Sequence, residues 1–226
     1  KSIISLLEKK TFVRPQGIAY LAINLIKIEP NVKKYLEQDN FGNIAFTPPK
    51  IISDLSELPL LLKLMSVCPI TDIDLENLLK KLRAELLMSV KNLDNSSKIL
   101  QFQSALALQC FTNEYIYNYS DAEEKALSTL EESVKQILTS GTQPSPSSIL
   151  CLASYRSLYK YQWYKLLIIN NNIKDVFLRQ VEEPIKEANL KKKLPLLEII
   201  TDKVSSKVQK QYEASPYPRW INLKLR

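Results

Sequence analysis

The sequence contains no histidine and only three glycines among its 226 residues. Histidine is the commonest general base near neutral pH and the commonest metal ligand, so both kinds of site lack their usual component. The glycines, Gly17, Gly42 and Gly141, lie more than twenty residues apart. Glycine-rich phosphate loops need several close glycines, because the backbone must approach the ligand with no side chain between. We therefore exclude a dinucleotide-binding loop on these residues and expect no cofactor bound to them.

Cysteine is also scarce. Cys68, Cys110 and Cys151 are odd in number, far apart and embedded in apolar sequence. Free cysteine behaves as a small hydrophobic residue, and this spacing suits neither a zinc site nor a disulfide framework. We predict buried, reduced thiols in a cytoplasmic protein.

Long apolar runs and a secretory signal are missing as well. The longest apolar runs, such as residues 58–65, are too short to cross a bilayer. We therefore expect no membrane partner. The chain begins without Met, as a piece excised from a longer protein would.

Positive charge is in excess, with a formal net charge of +7. The basic residues are spread along many segments, and the one tight run, Lys191 to Lys193, suits the end of a helix, where cations favour the helix dipole. We do not expect nucleic acid as a partner.

What the sequence does contain is helical periodicity. Apolar residues recur at helical spacing along most of the chain, and no segment alternates at period two for long enough to form a strand. There is no repeat of about 34 residues of the tetratricopeptide kind. The predicted fold class is all-α: an irregular multi-helix bundle of about nine to eleven helices with no significant β-sheet. The predicted helices cover residues 2–10, 15–29, 31–38, 58–67, 72–91, 97–117, 120–140, 148–169, 175–182, 184–189 and 202–214.

Several local signals fix helix ends and faces. Ser120 and Glu123 have the spacing of a capping box, and Gly141 stands where a left-handed residue ends the same helix. In the last helix, Val204, Val208 and Tyr212 are expected to face inward. The aromatic residues of 155–164 are either core or a binding groove, and helical spacing favours core.

Glycine and proline residues divide the chain into three predicted regions. Residues 39–50, with Gly42 and the pair Pro48-Pro49, form a predicted connection. This divides a small N-terminal helical piece, 1–47, from a main helical bundle, 48–214. Residues 215–226 form a proline and aromatic C-terminal strap, because each proline fixes its own φ and favours an extended residue before it.

Asn113, Glu114 and Tyr115 are polar residues in a predicted helix that is otherwise apolar. Buried polar groups need partners, which favours a hydrogen-bonded clamp between helices, and contact with a partner or substrate is the alternative. One carboxylate without a second acid, a histidine or a metal is not a catalytic set. We assign no catalytic, cofactor-binding or metal-ligating residue on this chain.

Two stretches carry a resemblance to a known family. Residues 211–220 are similar to a Gln-Tyr-Glu-Glu-x-Pro-Tyr-Pro-Arg-Trp motif, with Ala214 in place of the second Glu. Residues 106–117 are similar to Leu-Ala-x-Gln-Cys-Phe-x-Asn-Glu-Tyr-Val-Tyr/Phe. The chain resembles the helical region of bacterial proteins that carry N-terminal tetratricopeptide repeats and a C-terminal class I S-adenosylmethionine-dependent methyltransferase domain. In that family the helical region lies just before the methyltransferase domain.

The resemblance covers most of the chain, from about Arg14 onward, and implies a non-catalytic scaffold or linker. Such a module would orient the catalytic domain or its protein substrate. It implies that S-adenosylmethionine binds in a domain beyond Arg226, since no residue here matches a cofactor or catalytic position. An enzyme outright would likewise need chain beyond Arg226.

A free-standing adaptor that binds another protein through the aromatic face or the strap is the alternative function. For the strap itself, packing back on its own bundle is the alternative to docking. The candidate interaction residues are Tyr212, Glu213, Pro216, Tyr217, Pro218, Arg219, Trp220, Asn113, Glu114 and Tyr115.

Overall fold

The computed structural model describes residues 2–8, 15–41, 48–93, 95–193 and 202–214. Within these ranges the chain is helical and contains no strand, which confirms the all-α class. Three short 3-10 helices, Val90–Asn92, Leu158–Lys160 and Gln162–Leu166, and a π-helical turn, Leu178–Glu182, lie between the α-helices. The α-helices are α1 Ser2–Glu8, α2 Pro15–Ile28, α3 Pro30–Phe41, α4 Pro48–Ser56, α5 Pro59–Val67, α6 Ile73–Met88, α7 Ser97–Thr112, α8 Asp121–Thr139, α9 Pro146–Ala153, α10 Lys174–Phe177, α11 Glu183–Lys191 and α12 Lys203–Ala214.

Proline sets many of the helix starts. Helices α2, α3, α4, α5 and α9 all begin with proline, whose fixed φ suits the first turn and whose missing N–H is not needed there. The starts predicted at Pro15 and Pro59 are confirmed. Helix α3 extends to Phe41 and the pair Pro48-Pro49 opens α4, so the connection predicted over 39–50 is too long at both ends. Residues 42–47, which precede the predicted division after 47, lie outside the described part of the chain.

Local capping residues act as predicted in α8. The Ser120 hydroxyl accepts the Glu123 N–H at 3.2 Å, and the Glu123 carboxylate accepts the Ser120 N–H at 2.9 Å. Gly141 follows the helix with a φ of 81°, a conformation that glycine adopts without a Cβ penalty. The capping box and the glycine stop are both confirmed.

Helix α7 occupies the centre of the core. Every residue from Ala105 to Thr112 is buried, and α7 packs against α4, α5, α9 and α10. The buried apolar side chains form one cluster that extends from Leu7 in α1 to Val181 in the π turn. Each fully buried large aliphatic or aromatic side chain contributes about 1.5–3 kcal/mol to folding. The N-terminal helices therefore share a core with the helices that follow.

Buried glutamines tie connecting segments to this centre. The Gln109 amide, oriented so that its nitrogen donates, bonds the carbonyls of Met65 at 3.3 Å and Cys68 at 3.0 Å, and its oxygen accepts the Ile70 N–H at 2.9 Å. Gln103, also on α7, accepts a hydrogen bond of 2.6 Å from the Ser147 hydroxyl. A buried amide needs such partners, because its desolvation otherwise costs a few kcal/mol.

Gln180, in the π turn, makes the third of these clamps. Its side-chain nitrogen donates to the carbonyls of Ala107 at 3.1 Å and Ala153 at 3.0 Å. Its side-chain oxygen accepts the Leu158 N–H at 3.1 Å. One side chain thus connects α7, the end of α9 and the 3-10 helix Leu158–Lys160.

The helix predicted over 148–169 is wrong beyond Ala153, where α9 ends. The Ser157 hydroxyl donates to the Gln180 carbonyl at 2.9 Å, and the Leu158 N–H is taken by the Gln180 side chain. These tertiary hydrogen bonds replace the helical ladder, and 3-10 turns follow.

Candidate functional site

A buried ion pair joins α6 to α8. Nη2 of Arg83 lies 3.6 Å from Oε1 of Glu123, and the two side chains are 1% and 8% exposed. The Tyr155 hydroxyl donates to the same Oε1 at 2.6 Å, and the guanidinium carbon lies 4.1 Å from the centroid of the Tyr155 ring. The guanidinium also donates to the carbonyls of Tyr117 at 3.3 Å and Asn118 at 3.0 Å. We call these five residues the Arg83 cluster.

This cluster was not predicted from the sequence, although α6 contains a signal for it. Arg83 lies four residues after Leu79 and three before Leu86, both buried, so a charged side chain stands inside the apolar stripe of the helix. A charge at such a position needs a buried counter-charge, since an unpaired one costs several kcal/mol. No local pattern indicated that Glu123, already used in a capping box, would be that partner.

The ionisation of Glu123 follows from its surroundings. Burial disfavours the carboxylate, but hydrogen bonds from Tyr155 and Ser120 and the positive charge of Arg83 outweigh it and hold the pKa of Glu123 below its usual value. Glu123 is therefore a firmly ionised partner for Arg83. A general acid or base needs a pKa near the working pH, whereas the pKa of Glu123 is lowered away from neutral pH.

The Arg83 cluster has the chemistry of a structural centre. Its carboxylate, the two Nη atoms of its guanidinium and the Tyr155 hydroxyl are used in bonds within the protein. In the part of the chain that is described, no group of three or more His, Cys, Asp or Glu side chains has the arrangement to hold a metal ion. The cluster fixes α6, α8 and the chain after α7 relative to one another.

Asn113, Glu114 and Tyr115 lie at the end of α7, and the prediction that they are in mid-helix is wrong. Helix α7 stops at Thr112, and Glu114 and Tyr115 take φ values of 60° and 57°. Left-handed backbone costs about 1–2 kcal/mol per non-glycine residue, so tertiary contacts must hold this turn. The Tyr115 N–H donates to the Cys110 carbonyl at 2.8 Å, which closes the helix end.

This left-handed turn connects α7 to the Arg83 cluster. The Tyr115 hydroxyl donates to the Ala153 carbonyl at 3.4 Å, a contact with α9 of the kind expected for a clamp. The chain then leads directly to Tyr117 and Asn118, whose carbonyls accept from Arg83. The buried amide of Asn113 has no hydrogen-bond partner among the described residues, so the predicted clamp does not extend to Asn113.

The three thiols are buried and free, as predicted. Burial raises the pKa of Cys68 to about 11 and the pKa values of Cys110 and Cys151 to about 12. A thiol acts as a nucleophile or metal ligand through its thiolate, which is scarce near neutral pH at such pKa values. These cysteines are therefore packing residues.

The aromatic residues after α9 mostly belong to the core. Tyr155, Tyr161 and Trp163 are buried, and the rings of Tyr161 and Trp163 stack with their centroids 4.7 Å apart. Tyr159 is exposed and Tyr164 lies half-buried beside it. The core interpretation holds for the three buried rings.

Helix α12 turns its apolar side to the solvent. Val204, Val208 and Tyr212 are 69%, 45% and 63% exposed, so the prediction that they face inward is wrong. The half-buried residues of the helix are the polar Ser206 and Gln209, on a different face. The spacing of the apolar residues is that of an amphipathic helix, but the polar face is the more covered one. We call Val204, Val208 and Tyr212 the outward stripe.

The remaining candidate interaction residues adjoin the outward stripe in sequence. Glu213 lies in the last turn of α12, and its side chain is outside the described part of the structure. Pro216, Tyr217, Pro218, Arg219 and Trp220, in the strap, also lie outside the described residues.

No described helix is long and apolar enough to cross a membrane. Comparison of the chain with known protein families, with characterised proteins and with solved structures gave no match. The relationship to methyltransferase-associated helical regions therefore stays a prediction that rests on the sequences of residues 106–117 and 211–220.

Proposed function

We propose that the chain is a non-catalytic helical scaffold that docks a class I S-adenosylmethionine-dependent methyltransferase-type domain, acting in the bacterial cytoplasm. It would orient that domain or the protein substrate of that domain. The outward stripe of α12 carries this proposal. It is an exposed apolar helix face that leads straight into the sequence 211–220, and such faces are typical of surfaces that bind another protein.

The construction of the core supports a scaffold role. The buried ion pair between Arg83 and Glu123 joins α6 to α8, and the Tyr155 hydroxyl adds a hydrogen bond of 2.6 Å to the same carboxylate. The amide clamp of Gln180 connects α7 and the end of α9 through hydrogen bonds of 3.1 and 3.0 Å. The Gln180 amide has partners for both its nitrogen and its oxygen, and a satisfied buried polar group of this kind makes a core more rigid and specifies one arrangement. A rigid body is what a module needs if it is to hold a catalytic domain in a fixed orientation.

The test uses the natural protein at its full encoded length. We expect Trp220→Ala, and separately Val204→Asp with Val208→Asp, to loosen the contact between the bundle and the domain after it. Limited proteolysis would then cleave faster within residues 194–201, and calorimetry would separate one unfolding transition into two. The control is Ile168→Asp, at a residue 70% exposed on the bundle, which should leave both readouts unchanged. Unchanged proteolysis and unfolding in both variants would overturn the proposal.

A second measurement concerns the cofactor. Titration of the 226-residue chain with S-adenosylmethionine in a calorimeter should give no binding heat if, as we propose, the cofactor binds in a following domain. Tight binding to these residues alone would contradict the scaffold assignment.

The free-standing adaptor is the second candidate function, and it uses the same outward stripe. The two differ in what the gene encodes after Arg226. A reading frame that ends near this residue would favour the adaptor, whereas a following domain with a glycine-rich cofactor loop supports the scaffold.

A further inference from the structure

The acidic residues that balance the basic ones become rare near the end of the sequence. Residues 1–190 contain 22 Lys and Arg and 21 Asp and Glu, whereas residues 191–226 contain nine Lys and Arg and three Asp and Glu. Six of the seven net positive charges therefore lie in the last 36 residues. Strong charge asymmetry of this kind indicates an anionic partner for that part of a chain.

Helix α12 displays part of this charge beside the outward stripe. Lys203, Lys207 and Lys210 are all exposed. At about 100° per residue, the three lysines fall within one third of the helix circumference, and the outward stripe occupies a neighbouring sector. Helix α12 therefore offers an apolar strip with a basic flank.

We propose that α12 docks in an apolar groove bordered by carboxylates on a partner protein. This rests on the proposed function and names the surface chemistry that the methyltransferase-type domain would present to the bundle. Val204, Val208 and Tyr212 would enter the groove, while the lysines would face the carboxylates at its edge. Charge complementarity of this kind mainly accelerates association, and burial of the apolar stripe slows dissociation.

Two other anionic partners fit the described helix less well. Nucleic acid would engage the lysines through phosphates, but it would leave the two valines in water. A lipid surface takes up helices whose apolar face carries large residues such as Leu, Phe and Trp. The apolar face of α12 has two valines and one tyrosine, so it offers a membrane little area to bury.

The test compares four probes on the 226-residue chain. The first is a synthetic helical peptide of glutamate and leucine with its leucines at helical spacing, and the second is the same peptide with lysine in place of glutamate. The third is single-stranded oligothymidylate, and the fourth is vesicles of phosphatidylcholine and phosphatidylglycerol. We expect the glutamate peptide to bind most tightly, and its Kd to rise about tenfold between low salt and physiological salt because screening weakens the contacts. Tighter binding of oligothymidylate or vesicles, or binding of the glutamate peptide that is insensitive to salt, would overturn the inference.

Variants locate the binding to α12. Lys203→Gln with Lys207→Gln should weaken binding of the glutamate peptide about tenfold, as expected when two charge contacts at an interface are lost. Lys125→Gln with Lys174→Gln removes two exposed charges from other helices and should leave the Kd unchanged. Equal Kd values for the two double variants would contradict docking through α12.

The full-length protein separates failure of this inference from failure of the proposed function. If Val204→Asp with Val208→Asp uncouples the domains but the Lys203 and Lys207 double variant does not, the partner surface is apolar without being acidic, and this inference alone fails. If neither double variant changes the coupling, while the glutamate peptide still binds α12, the methyltransferase-type domain is not the partner and the proposed function fails.

Discussion

The Tyr155 hydroxyl donates a hydrogen bond of 2.6 Å to Oε1 of Glu123 and joins the chain after α9 to the first turn of α8. The other carboxylate oxygen, Oε2, accepts the Ser120 N–H at 2.9 Å and so caps α8. Arg83 lies against both Glu123 and the ring of Tyr155. A single carboxylate thus connects a local capping motif to the tertiary core.

We expect Arg83→Met to destabilise the protein by about 3–5 kcal/mol, because it leaves the Glu123 carboxylate buried without its cation. Tyr155→Phe removes one hydrogen bond to a charged group and should cost about 1.5–3 kcal/mol. The measurement is the free energy of unfolding from urea titration. The control is Lys33→Met, which breaks an exposed ion pair with Glu37 at 3.7 Å and should cost no more than about 1 kcal/mol. If both cluster variants lose less unfolding free energy than Lys33→Met does, the Arg83 cluster does not stabilise the fold.

The pKa of Glu123 predicts a pH dependence of stability. Its pKa in the folded protein lies below the ordinary value of 4.5, so its stabilising contribution is present above that pH and is lost as the pH falls through the folded-state pKa. The difference in unfolding free energy between wild type and Glu123→Gln should be constant at near-neutral pH and shrink in acid. The other carboxyl groups contribute equally to the pH dependence of both proteins, so their contributions cancel in this difference. A difference that stays the same at all pH values would show that the carboxylate contributes nothing through its charge.

Gln180→Leu should destabilise the protein by about 2–4 kcal/mol, since the Leu158 N–H loses its partner inside the core and the carbonyls of Ala107 and Ala153 each lose a donor. Gln136→Leu is the matched control, because Gln136 is exposed and its side chain donates to the Glu132 carboxylate at 3.4 Å on the helix surface. Urea titration of both variants gives the comparison. Equal unfolding free energies in the two variants would mean that the Gln180 clamp does not stabilise the fold.

The thiols should be unreactive in the native protein. Cys68, Cys110 and Cys151 are buried, and their raised pKa values, about 11, 12 and 12, leave little thiolate at mildly alkaline pH. We expect a disulfide reagent such as dithionitrobenzoate to react with them only as fast as the protein opens, and to modify all three at once in guanidinium chloride. Rapid modification of any thiol in the native protein would contradict this.

Rules that act within a few residues predicted most of the helix ends. The capping box of Ser120 and Glu123 and the stop at Gly141 depend on neighbours in sequence, so they could be identified without the fold. The start of α5 at Pro59 is of the same kind. The all-α class follows from periodicity over the whole chain and was also predictable.

Features that depend on distant partners were not predictable. The end of α7 needs left-handed residues at Glu114 and Tyr115, and neither is a glycine that would have indicated a stop. The end of α9 depends on hydrogen bonds to Gln180, which follows it by 27 residues. Helical periodicity identified the apolar side of α12, but its direction depends on packing, and that side faces the solvent.

Hydrogen exchange in α12 tests the proposed docking most directly. The measurement compares the exchange rates of the peptide 203–214 in the 226-residue chain and in the full-length natural protein. If α12 docks a following domain, exchange should be at least about tenfold slower in the full-length protein, and Val204→Asp with Val208→Asp should remove most of that protection. Equal exchange rates in the two proteins would contradict the scaffold that we propose.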